Sequence, residues 1–99
     1  MNQEIPMNTD PITDILTERG KHYGPFMEHA QITQTLKRMI EIHARIRGVI
    51  LTFDQQEALD MICHKIGRIV NGNPNHIDSW DDIAGYARLV ADRLRGVVR

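Results

Sequence analysis

The sequence has a single cysteine, Cys63, in 99 residues. No intrachain disulfide framework and no cysteine-rich zinc site can be built from it, and a reducing cytoplasm is the expected setting. It also lacks an excess of either charge: 12 Lys and Arg face 13 Asp and Glu, a formal net charge of -1. Without a basic field, direct binding of nucleic acid is not expected. No apolar run approaches the roughly 18 residues that a membrane span needs. The polar start Met1-Asn2-Gln3-Glu4 lacks the basic and apolar regions of a signal peptide. There is no internal repeat, no Gly-x-x-x-x-Gly-Lys-Ser/Thr phosphate loop, and no Ser–His–Asp or Cys–His arrangement.

What the sequence does hold is helical periodicity. A chain of 99 residues, 41% hydrophobic, is the size of one domain. A domain this small buries only about two thirds of the surface its unfolded chain exposes, so assembly as a homo-oligomer is expected. Residues 1–9 carry no periodicity and read as a loose N-terminal arm; residues 10–99 read as one all-helical domain.

Asp10-Pro11 pairs a capping carboxylate with a residue that has no N–H to leave unpaired, so a first helix should begin there. It carries Ile12, Ile15 and Leu16 on one side and is expected to stop at Gly20, with Gly20 to Pro25 forming a turn. A second helix is expected from about Phe26 to Arg47, with Ala30, Leu36, Met39, Ile40, His43 and Ile46 as its buried stripe. Gly48 ends it. Ile32 and Ile42 fall off that stripe and point to a second contact surface.

Thr52 and Gln55 form a capping box for a third helix that should run to Val70 or Asn71. Asp78 or Ser79 is the expected cap of a fourth, which extends to about Arg95. Its expected core stripe is Trp80, Ile83, Ala84, Ala87, Val90, Ala91 and Leu94. Strand alternation is absent throughout. The expected fold class is all-α, a small bundle of about four helices.

Chemistry, on this reading, lies between Glu57 and Arg93. Glu57 and Asp60 share a face of the third helix, as Asp78 and Asp82 share one of the fourth. Carboxylates at such spacing can supply hard oxygen ligands to Mg²⁺ or Mn²⁺. Antiparallel packing, however, would place Asp78 and Asp82 beside Lys65 or Arg68 instead. His64, four residues after Asp60, allows an Asp–His pair. Lys65 and Arg68, close on one helix, can hold a phosphate. Tyr86 can set its ring against a base or its hydroxyl on a phosphate, but the reading its place at the edge of the stripe favours is a half-buried structural tyrosine. Trp80 reads as core, and Cys63 as a small buried apolar residue.

The segments Glu18-Arg19-Gly20, Tyr23-Gly24, Ala58-Leu59-Asp60-Met61-Ile62, Lys65-Ile66, Arg68-Ile69 and Asp78-Ser79-Trp80-x-Asp82-Ile83-Ala84-Gly85-Tyr86-Ala87 resemble a family of small phage and prophage proteins. The resemblance covers about Ile15 to Leu89. More distantly, the pattern is similar to nucleotide-modification-associated phage domains and to the all-α, MazG-like nucleoside triphosphate pyrophosphohydrolases. That resemblance implies a Mg²⁺ centre on Glu57, Asp60 and Asp82, with Lys65, Arg68 and Tyr86 on the nucleotide. Its first acidic motif has no counterpart, because the second helix carries only Glu28 and Glu41. Two functions therefore compete: a metal-dependent nucleotide pyrophosphohydrolase, and a non-catalytic protein that sequesters a nucleotide or binds a host protein.

Overall fold

The Asp10 carboxylate accepts a hydrogen bond from the Thr13 amide at 2.7 Å and starts α1 (Pro11–Tyr23). The computed structural model describes residues 10–99, so the expected arm over residues 1–9 lies outside the described residues. Three further helices follow: α2 (Phe26–Arg47), α3 (Phe53–Asn71) and α4 (Ile77–Leu94). The fold is all-α, with no strand among the described residues. None of these helices is long and apolar enough to cross a membrane.

α1 does not end at Gly20 as expected. A glycine inside a helix costs only about 1 kcal/mol relative to alanine. Glu18 spans the position by pairing with Lys21 at 3.4 Å and His22 at 3.3 Å. The stop is Gly24, which takes a positive φ of 75° and precedes Pro25. A side chain at Gly24 would overlap the Asn71 backbone, and one at Gly72 would overlap His22 and Tyr23. The two glycines thus let the end of α1 dock on the end of α3. The Asn71 amide clamps the joint by donating to the carbonyls of Tyr23 and Pro25, at 3.0 and 2.8 Å.

The capping box of α3 forms as expected, with Gln55 Oε1 accepting from the Thr52 amide at 3.0 Å. α4 begins earlier than expected, at Ile77 with His76 as its cap. The turn has already closed through Asn73, whose side chain accepts from the Asn75 amide at 2.9 Å. Ser79 is therefore not a cap and is buried. At the other end of the hairpin, Arg93 of α4 binds Asp54 at 2.7 Å and Thr52 Oγ1 at 2.8 Å, which ties α4 to the start of α3.

α3 is the central element: α2 and α4 pack on it without meeting each other, and α1 touches α2 and α3. This arrangement rotates the expected stripes. α2 buries His29 and Thr33, with Leu36 and Ile40 half-buried, and leaves Met39, His43 and Ile46 exposed. α4 turns Ser79, Ile83, Tyr86 and Val90 inward and leaves Trp80, Ala84, Ala87 and Leu94 exposed. α3, flanked on two sides, buries Lys65 and Gly67 as well as Ala58, Cys63 and Ile69. Gly67 is required by the close approach of α2, since a Cβ there would lie 2.6 Å from Thr33 Oγ1.

Candidate functional site

The antiparallel α3–α4 hairpin sends the expected site residues to separate places. Asp82 meets Lys65, whose buried Nζ lies 3.0 Å from Asp82 Oδ2. Each neutralises the other, so Lys65 is not a spare cation and Asp82 is not a spare ligand. Asp60 stays on its own helix and accepts from Gln56 Nε2 at 2.9 Å. Glu57 and Tyr86 line a shallow groove with Asp54, Leu89 and Arg93. Asp78 sits 3.6 Å from His76. Among the described residues no three His, Cys, Asp or Glu side chains converge to hold a metal ion. Glu57, Asp60 and Asp82 are thus not brought together among the described residues of one chain.

His64 and Arg68 lead elsewhere. Together with α1 and the start of α2 they line a cavity of about 540 Å³, within the range of small-molecule sites. Arg68 lays its guanidinium over the Tyr23 ring, 4.2 Å from the centroid. Arg19, one helical turn before Tyr23, lines the same cavity, and Phe26 adds a second ring to its wall. No carboxylate among the described residues pairs with Arg19 or Arg68. Both positive charges are left for something else to meet.

The remaining wall is a histidine pair. His29 Nε2 lies 3.2 Å from His64 Nδ1, so one ring donates and the other accepts, and the two rings stand edge to face. Thr33 Oγ1 sits 3.4 Å from the same His29 nitrogen. Burial, and then the charge of Arg68, holds His64 at a pKa of about 4. The same two causes lower His29, against a smaller opposing contribution from the Gly67 backbone. Both rings are neutral at pH 7, and the other His29 nitrogen, Nδ1, is buried against Gly67 without a hydrogen-bond partner.

A family model described as a domain of unknown function, DUF6378, matches residues 10–94. The chain belongs to the DUF6378 family. No curated protein and no solved structure matches it. The DUF6378 match spans all four helices, and so takes in every wall of the cavity.

His64 and Arg68 stand out in the sequence as site candidates, whereas Arg19, Tyr23, Phe26 and His29 do not. Reading Gly20 as a helix stop hid the four-residue step from Arg19 to Tyr23, which a continuous helix puts on one face. The usable signal was the Glu18-Arg19-Gly20 and Tyr23-Gly24 pattern. Four of its residues, Arg19, Gly20, Tyr23 and Gly24, line the cavity.

Proposed function

We propose that this DUF6378 protein binds a nucleotide, or another small phosphate-bearing aromatic molecule, in the cavity between α1, α2 and α3. The observation that carries the reading is the pair of guanidinium groups, Arg19 and Arg68, in a concave site where no carboxylate among the described residues neutralises them. Arg68, held over the Tyr23 ring, carries the planar fork of N–H donors that matches two phosphate oxygens at once. Tyr23 and Phe26 offer flat apolar surface to a base. The neutral histidine pair supplies hydrogen bonds without adding charge.

Binding without hydrolysis is the version the donor arrangement favours, since the carboxylates expected to carry a metal are dispersed. It agrees with the resemblance to phage proteins that handle nucleotides. Calorimetric titration with ribo- and deoxyribonucleoside mono-, di- and triphosphates should give saturable binding for at least one. Arg68→Ala should weaken it by about tenfold or more, the cost of a lost charge-assisted hydrogen bond. Binding left unchanged in both Arg19→Ala and Arg68→Ala would refute the assignment. Pyrophosphate release from any triphosphate that depends on Mg²⁺ or Mn²⁺ would favour the hydrolase reading instead.

A further inference from the structure

The chain exposes 7360 Å², whereas a compact protein of 11.4 kDa exposes about 5,800 Å². Its radius of gyration is 17.9 Å, against about 13 Å for a compact domain of this length. Only Ala58, Cys63 and Ile69 have buried apolar side chains among the described residues. Part of the exposed apolar surface is gathered on one face.

α3 with α2 and α4 on its two flanks makes a layer, and its two faces differ. One face carries the Lys65–Asp82 and Asp54–Arg93 ion pairs together with the His64 and Arg68 cavity. At 100° per residue the opposite face of α3 presents Leu59 and Ile66, both half-buried. Beside them α2 exposes Met39 and Ile46. α4 contributes the spacing Trp80, Ala84, Ala87, Ala91, Leu94, in alternating steps of four and three, with no charged side chain in the row. The one polar atom of the Trp80 ring is already satisfied, donating to the Pro74 carbonyl at 2.8 Å. Its exposed remainder is apolar.

We infer that this face closes against the same face of a second copy, about a two-fold axis passing near Ala87. The row on α4 is self-complementary, with a large side chain seven residues to either side of Ala87 and alanines between. Antiparallel pairing of two such helices sets Trp80 of each copy beside the Leu94 end of the other. The alanines at the crossing let the helix axes approach to about 8 Å. The excess of about 1,600 Å² over the whole chain is enough to supply the roughly 1,000 Å² or more that each partner of a permanent homodimer buries. A twofold interface of this kind is isologous and closes on itself, and it leaves the charged face and its cavity open on both copies.

Sedimentation equilibrium on the full chain at micromolar concentration should give twice the chain mass. Ala87→Glu should weaken the dimer by about 100-fold or more, with helical circular dichroism retained because Ala87 is exposed within the chain. Arg38→Glu, on the outer side of α2, should leave it unchanged. Ala87→Cys should form an intermolecular disulfide on oxidation, since two residues at a two-fold crossing lie within bridging distance and Cys63 is buried. A monomeric native chain overturns the inference. So does a dimer that survives Ala87→Glu and is not bridged by Ala87→Cys.

Discussion

Lys65 and Arg68 lie one turn apart on α3, carry the same charge, and have opposite fates. Lys65 is buried against Asp82, whereas Arg68 rests on an aromatic ring with its charge unanswered. Sequence spacing groups them; only the position of α4 separates them. His64 has a consequence for acid stability. Its folded pKa of about 4 lies below the ordinary value of 6.5, because burial and Arg68 disfavour its charged form. From pH 6.5 down to about 4 the unfolded chain binds a proton that the folded chain does not, so this contribution is intact above pH 6.5 and declines on acidification. His64→Gln, which keeps a hydrogen-bonding partner for His29 but does not titrate, should show a shallower fall of melting temperature over that window. Equal slopes in the two proteins would rule this origin out.

Among the elements, α1 shows what a residue-by-residue rule misses. Gly20 reads as a terminator, yet the helix runs on to Tyr23, because the docking of its end on α3 is secured by Asn71 and by the glycine pair Gly24 and Gly72. Gly20 itself has open space around it, whereas Gly67 is hemmed in by Thr33 and His29. The same substitution should therefore act with opposite sign at the two sites. Gly20→Ala should raise unfolding free energy by about 0.5 to 1 kcal/mol through helix propensity. Gly67→Ala should lower it by about 1 to 3 kcal/mol, since α2 must give way. Urea titration followed by circular dichroism measures both. The expected signs fail if Gly67→Ala proves neutral.

At the scale of the whole molecule the expected all-α bundle of four helices forms, with α2 and α4 on the two flanks of α3 and α1 against α2 and α3, and it leaves apolar surface exposed. Stability in such a chain should depend on its own concentration. If the apolar face is covered by a second copy, the melting temperature of the native protein should fall by a few degrees on tenfold dilution, and that of Ala87→Glu should not. A native melting temperature independent of concentration would count against self-association.

The helices and most of their ends were legible in the order of residues. Asp10-Pro11, the Thr52–Gln55 box, and the stops at Gly48 and Gly72 act over three or four neighbouring residues, and local hydrogen bonding decides them. Helical type was legible for the same reason. Which stripe each helix would bury was not, since α2 and α4 each carry two apolar flanks, and choosing between them requires knowing what lies alongside. The candidate site was half legible: His64 and Arg68 stood out on α3, while Arg19, Tyr23 and His29 join them only when α1 and α2 are laid against that helix. The carboxylates show the converse. Glu57, Asp60 and Asp82 look like one set when read by spacing, but antiparallel packing of α4 gives Asp82 to Lys65 and leaves the other two at a different level of the hairpin. By itself the sequence determined four helices and most of their ends, because those rest on contacts within a turn. Only the tertiary structure decided the exposed apolar face and the cavity, because both depend on which surfaces of separate helices meet.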